Sequence, residues 1–515
     1  MEKYVFFIGG TGARVFRAFL HLCASGVICS QEPVQTVILD VDGQNGDIAE
    51  TVTLYNSYQW NYEQIHTQEV QSVLNILSES RRNRWGAFRP FASEVRLLDH
   101  GTVHFLDAIR GTLSKINLKN VVNPVGNNER VLEWFYTKNE REQELDDGFF
   151  AHPNIGSIFF RALGSHFDTL TKQVCASIRR DQDVSVTIVG SMFGGTGAAG
   201  IPSILRFLEE SCAKEKLTPG QRKLLHINAV LVTPYFKLRP PVGSNIPVNS
   251  DTFYGNTRSA LEFYGMRYRN RFERMYMAGQ NTLEYVSDKY ADKGSKQHNK
   301  PHVVELIAAL AVKDSWILRE NVDRGEIQEM ILRSKGKEPM FGWSTLDDEL
   351  SGMADMLRTQ FLIKTDISPC ANDKFNGNGK TWYSSFRMGN EGSKVKLLTQ
   401  YTDAFLDWMY HIQRRYDDAD NGQMIHDERI TLAGSPLADL LSDDPAKQEK
   451  ARKDFSHLID IGHDFTQAQT VSYKKNMPKK IMLDFAMLSG REKELAKLGT
   501  IGLFIRLFQF VSEKA

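Results

Sequence analysis

Short, fully apolar runs alternate along this chain with longer stretches whose apolar residues recur at helical spacing. Val5–Ile8 leads into Gly9-Gly10-Thr11-Gly12 and then Ala13–Leu22, where the apolar positions fit a helix. Val34–Leu39 ends at Asp40-Val41-Asp42-Gly43-Gln44, Val184–Val189 ends at Gly190 ahead of the helical pattern Ile201–Glu210, and Ile227–Val232 ends at Thr233-Pro234-Tyr235-Phe236. Strands that are apolar on both faces, each followed by a turn and a helix, predict βαβ units. The result is an α/β fold with a parallel sheet flanked by helices and ligand loops at the carboxyl ends of the strands.

Two stretches leave this alternation. Residues from about 51 to 147 carry a polar helical pattern with Trp60, Trp85 and Trp134, which predicts a largely helical insertion between early strands. An apolar helix over His302–Leu318 then leads out of the sheet toward a hairpin near Ile327–Trp343 and an amphipathic helix at Val395–Tyr416. The expected division is a nucleotide-type domain over 1–300, a central helix over 301–320 and a divergent α+β domain over 321–515.

Composition narrows the functional classes. With 63 basic and 63 acidic residues the chain is formally neutral, so nucleic acid is not an expected partner. The five cysteines are scattered without a CxxC pair, which points to reduced thiols in a cytoplasmic protein. Met1–Gly10 reads as a buried strand and not as a signal peptide. Leu495–Val511 is apolar but is interrupted by Lys497 and Arg506. It falls short of the roughly 20 residues a membrane span needs, so a docked or partner-binding helix is expected there. No histidines stand at metal-ligand spacing, and no protein-held metal is expected.

Gly194-Gly195-Thr196-Gly197 lies between a buried strand and a helix. Glycines let backbone N–H groups approach an anion, Thr196 adds a hydroxyl, and the helix aims its positive end at the same place. That makes a phosphate cradle. No Gly-Lys-Ser/Thr follows, so charge falls to the amides and to Mg2+ carried with a nucleotide. A single turn of this kind is equally a ligand-free strand-to-helix connection. A second one, Gly9-Gly10-Thr11-Gly12-Ala13-Arg14, also follows a strand and opens a helix. Alone it resembles a Rossmann fingerprint with Asp40 or Asp42 on a ribose, the signature of an NAD-dependent oxidoreductase, but Val15 replaces the third glycine.

Taken in order, these segments resemble the tubulin and FtsZ family, closest to the divergent bacterial tubulin-like proteins. Met192, Gly194 to Gly197 and Pro202 match the family's glycine signature, with Phe193 and Ala199 standing where it has glycines. Gly9–Arg14 is similar to the first phosphate loop, Asp42-Gly43-Gln44 to the second, Gly148–Gly156 with Asn154 to the third, and Val232–Phe236 to the fifth. Asn299–Leu306 resembles the opening of the central helix. The resemblance covers about residues 1–330 and implies GTP or GDP bound by Gly9, Gly10, Thr11, Gly12, Ala13, Arg14, Asp42, Gln44, Asn154 and Gly194–Gly197. It further implies that Asn281 and Asn299 hold the base, Asn299 being equally placed to cap the helix. Asn321, Asp323 and Glu326 have the family's hydrolytic spacing, a loop that enters the site of the next subunit, and they are equally a solvated turn. The expected function is a GTP-binding protein, a GTPase if that loop is catalytic, self-associating into filaments or oligomers. The alternative is a nucleotide-dependent scaffold that docks a partner protein through its C-terminal region.

Overall fold

The computed structural model describes residues 1–42, 45–78, 88–98, 103–104, 117–122, 127–145, 149, 152–162, 164–237, 252–280, 285–286, 298–318, 326–332, 341–342, 351–368, 386, 391–417, 423–426, 430–431, 435–442, 444–453 and 487–514. The apolar runs become β1 (Glu2–Ile8), β2 (Val34–Asp40), β5 (Val184–Ser191) and β6 (Leu225–Val232). They are joined by β3 (Val95–Leu97), β4 (Val103–His104), β7 (Arg274–Gln280) and β8 (Glu326–Leu332). The sheet runs β8-β7-β6-β5-β1-β2-β3, with β4 also paired to β2. Every pairing in it is parallel.

Strand alternation sorts the two faces. Val5 and Phe7 of β1 enter a core with α1 (Gly9–Ala24), α2 (Gly46–Ile65) and the central helix, Val303–Asp314. Tyr4, Phe6 and Ile8 enter another with α3 (Pro153–Ala162), α4 (Asp168–Arg179) and α5 (Gly195–Lys214), to which α6 (Phe253–Arg267) adds Ala260 and Tyr264. Phe7 stacks on Phe16 of α1 at 4.7 Å, and burying such a ring stabilises the fold by about 2–3 kcal/mol. The central helix, α7, is held at its carboxyl end by the fully buried Arg274. The Arg274 guanidinium donates to the carbonyls of Asp314, Ser315 and Ile317 at 3.2, 2.9 and 2.6 Å, where a cation meets the negative end of the helix dipole.

Three expectations are corrected. Residues 326–332 form no hairpin with 341–342: β8 extends the main sheet beside β7, while Phe341–Gly342 pairs in parallel with Ile430–Thr431. The stretch from 51 to 147 supplies helices but also β3 and β4, which edge the sheet beside β2. The helix expected to reach Tyr416 stops at His411, because Arg414–Asp417 pairs antiparallel with Gln423–His426. Helices α8 (Ser351–Leu362), α9 (Gly392–His411) and α10 (Gly499–Lys514) share one apolar core with α1, α2 and α7. The segment Gly490–Ser512 is long and apolar enough to cross a membrane, and 83% of its most apolar window is buried inside the protein.

Candidate functional site

In an open parallel sheet, ligands bind where the strand order reverses, because the two connections there leave to opposite faces and open a crevice. Here the reversal lies between β1 and β5, whose ends are in register with Ile8 beside Gly190. β1 feeds α1 on one face and β5 feeds α5 on the other. The glycine turns are the first turns of these helices. They touch: a Cβ built on Gly9 would lie 3.5 Å from Thr196 Cβ and 3.7 Å from the amide nitrogen of Gly197. Gly9 has φ +73°, which only glycine adopts without strain, and this lets the chain turn straight from strand into helix. Neither N-cap, Ile8 or Gly194, makes a side-chain capping bond, and neither first turn holds an acidic residue. Two sets of helix-opening N–H groups therefore converge on one crevice, with neither N-cap side chain and no acidic side chain of their own first turns bonded to them.

The glycines divide by task. A Cβ on Gly12 would sit 2.6 Å from the carbonyl carbon of Phe7, and one on Gly197 2.6 Å from the backbone of Ser191, so these two let each helix lie against its strand. A Cβ on Gly195 would meet Phe149 Cβ at 2.7 Å and the His152 amide at 3.2 Å. This contact brings the third loop, with the exposed Asn154, to the second glycine turn. Gly10, Gly194 and Thr196 are the half-buried members that line the crevice. Phe193 and Ala199 are both taken up in packing. Phe193 packs into Phe253, Phe236 and Tyr235 at 4.8, 5.6 and 6.4 Å, and Ala199 fills the space left by Gly156, where a Cβ would come within 2.7 Å.

Behind the first turn lies a buried ionic network. Arg14 donates from Nε to Glu305 at 2.7 Å, from Nη1 to Asp47 at 2.8 Å, and from Nη2 to Tyr235 at 2.8 Å and Thr11 at 3.1 Å. Arg17 donates to the other Asp47 oxygen at 3.0 Å and pairs with Glu50. Asn299 adds its amide NH and side-chain NH2 to Asp47 at 3.1 and 3.0 Å. Burial alone would push the Asp47 carboxyl up, but Arg14 and Arg17 outweigh it and hold it below its usual range. Deleting one partner would strand a buried charge, at a cost of about 3–5 kcal/mol. Arg14 thus braces α1, α2 and α7 behind the turn, and Asn299 ties the mouth of α7 to α2. Asp40 and Asp42 are buried at the end of β2, where burial pushes the Asp40 carboxyl up to about 7.

The structure brings together Gly9, Gly10, Thr11, Gly12, Ala13, Arg14, Gly194, Gly195, Thr196 and Gly197, with Asn154 beside them and Asp42 at the end of the neighbouring strand. Gln44, Asn281, Asn321 and Asp323 lie outside the described residues. Glu326 opens β8 opposite Arg274, at the amino-terminal edge of the sheet and away from the turns. Sequence reasoning passed over Asp47, Arg17, Tyr235 and Glu305. Two of them carried a signal: Asn45 two residues before Asp47 is a helix N-cap, and Glu305 three residues after His302 completes a capping box. Among the described residues, no group of three His, Cys, Asp or Glu side chains is placed to hold a metal ion. No family model, curated protein or solved structure matches the chain.

Proposed function

We propose that this chain is a tubulin-like protein that binds a guanine nucleotide, with the phosphates cradled between Gly9–Gly12 and Gly194–Gly197. The observation that carries this reading is the meeting of two uncapped helix N-termini, each opened by a glycine turn, at the reversal of a parallel sheet. One such turn suits a mononucleotide phosphate or a dinucleotide; two facing each other give both β1 and β5 a phosphate task, which a Rossmann oxidoreductase built on Gly10 and Gly12 does not need. Magnesium travelling with the nucleotide takes phosphate oxygens, water and one or two carboxylates. Asp40 and Asp42 are the carboxyls that fit, and a cation there would draw Asp40 into its charged form at neutral pH.

Glu326 supports hydrolysis between subunits. It starts β8 at the edge of the sheet opposite the turns, and a seven-residue strand separates the two edges by about 20 Å. In this reading residue 326, on the edge opposite the turns, serves a nucleotide held by another copy stacked head to tail, a contact that repeats into a filament when its rotation does not close.

The reading is tested by competition for a fluorescent GTP analogue among GTP, ATP and NAD, followed by phosphate release and light scattering over a range of protein concentrations. GTP should compete best, and activity per molecule should rise with concentration. Saturable GTP binding with neither turnover nor scattering makes the protein a nucleotide-dependent scaffold. Preference for NAD ends the tubulin-like reading.

A further inference from the structure

Asp183, His226 and Glu273 meet at the amino-terminal edge of the sheet, each from the start of a neighbouring strand. Asp183 precedes β5, His226 is the second residue of β6, and Glu273 precedes β7. Parallel pairing brings the three starts to one edge and stands the imidazole between the two carboxylates. His226 Nδ1 lies 2.6 Å from Glu273 Oε2, and Nε2 lies 3.2 Å from Asp183 Oδ1. Carboxylates only accept, so both contacts are hydrogen bonds only when each ring nitrogen carries a proton, which is the imidazolium. The bond to Glu273 is the largest influence and, together with Asp183, it outweighs burial and holds the imidazole above its ordinary value of 6.5.

Neutral imidazole has one N–H to give. The side chains of Glu273 and His226 are 14% and 17% exposed, whereas that of Asp183 is 42% exposed and can turn to water. Loss of the proton therefore leaves Nδ1–H on Glu273 and sets the Nε2 lone pair against the Asp183 carboxylate, which releases the turn into β5. That turn carries the first rungs of the sheet on both sides: the Asp183 carbonyl accepts from the Glu2 amide at 2.9 Å, and the Val184 amide donates to the Leu224 carbonyl at 2.8 Å. Other charged groups on this face have partners of their own. Lys3, in register with His226 across Ser185, donates to Ser30 at 2.8 Å and lies over Trp316. Arg274 holds the end of α7, and Asp314 there accepts from the Tyr276 hydroxyl at 2.7 Å.

We propose that Asp183, His226 and Glu273 form a proton-operated clasp across the starts of β5, β6 and β7, in which deprotonation of the imidazole frees Asp183 and loosens the entry of β5. The clasp is independent of the nucleotide reading, since neither its residues nor its test involves the glycine turns.

The test uses the full-length chain between pH 5 and pH 9. In NMR spectra of the histidine-labelled protein, with the His226 signal assigned by its loss in His226→Gln, the ring should titrate above 6.5. Asp183→Asn and Glu273→Gln should each lower that midpoint, Glu273→Gln by more, and each unit is a tenfold factor in the folding equilibrium. Because the folded value is the raised one, the stability that the clasp contributes is complete below about pH 6 and is lost as pH rises through the folded value. The advantage of the natural chain over His226→Gln in urea unfolding should therefore be largest at the acid end and shrink at the alkaline end. Hydrogen exchange at the Val184 amide, corrected for the intrinsic pH dependence of exchange, should lose about tenfold in protection across the titration in the natural chain and none in His226→Gln. Asp183→Asn, at an exposed turn, keeps the test open if Glu273→Gln does not fold. The assignment is overturned by a His226 midpoint at or below 6.5, by a midpoint indifferent to Asp183→Asn, or by equal Val184 protection on both sides of the titration.

Discussion

Gly10 and Gly12 stand two residues apart in one helical turn, and substitution should separate their tasks. An alanine methyl at Gly12 would press on the Phe7 backbone at 2.6 Å, where nothing flexible can yield. Gly12→Ala should lower stability by about 1–3 kcal/mol in urea unfolding, as overpacking does. At Gly10 the nearest atom is Asn45 Nδ2 at 3.6 Å, so Gly10→Ala fits and gains up to about 1 kcal/mol of helix propensity. The methyl also lies 3.8 Å from Arg14 Nη1 and Asp47 Oδ2, so if the turn holds phosphate, nucleotide affinity should drop, by roughly tenfold, through displacement of the network that positions its amides. Unchanged GTP affinity in Gly10→Ala would remove this turn from the phosphate site. Asp40 offers a test by pH. Its buried carboxyl titrates near 7, against about 3.9 unfolded, so the stability it contributes is complete below about pH 4 and is lost as pH rises through 7. An amide cannot titrate, so Asp40→Asn should gain on the natural chain between pH 5 and pH 8, and a flat difference would contradict the burial. The glycine turns were legible in sequence because glycine leaves few readings. Which glycine meets a backbone and which meets the crevice was not, since that depends on neighbours far along the chain.

Among the elements, α5 carries a proline at position 202, inside the helix and about two turns beyond its amino-terminal end. Proline has no N–H, so the carbonyl of residue 198 loses its helical donor, and it is buried. Tyr264 of α6 replaces that donor: its hydroxyl reaches the Ala198 carbonyl at 2.5 Å. Tyr264→Phe should therefore cost about 1–3 kcal/mol, the penalty of a buried acceptor left unmade. In a Pro202→Ala background the restored amide bonds Ala198 itself, and Tyr264→Phe should cost much less. A double-mutant cycle with no coupling would mean that the tyrosine contributes only packing. The main strands were legible because a run apolar on both faces has few other uses. β8 was not: Glu-Ile-Gln-Glu-Met-Ile-Leu keeps no clean alternation, and a short mixed run does not distinguish a parallel neighbour from a hairpin partner. β3 and β4, three and two residues long, are too short to carry any period.

At the scale of the whole molecule, the glycine turns and Glu326 occupy opposite edges of one sheet, about 20 Å apart along the strands. The order of the loops was visible in the sequence; that separation was not, because parallel pairing of β8 decides it. If the proposed GTP hydrolysis occurs, the separation makes complementation a strict test of where it happens. Glu326→Ala should bind GTP normally and fail to turn it over. Gly10→Ala should bind poorly and be slow for that reason, while still presenting an intact Glu326. Each variant alone has only defective junctions. In an equal mixture, a Glu326→Ala chain holding GTP can be met by Glu326 of a Gly10→Ala chain, which makes roughly one junction in four fully competent if stacking is random. Phosphate release from the mixture should exceed the sum of the separate variants and rise with total concentration. Strict additivity at every concentration would place the catalytic group within the chain that holds the nucleotide, and Glu326, at the far edge of the sheet, would then have no part in the reaction.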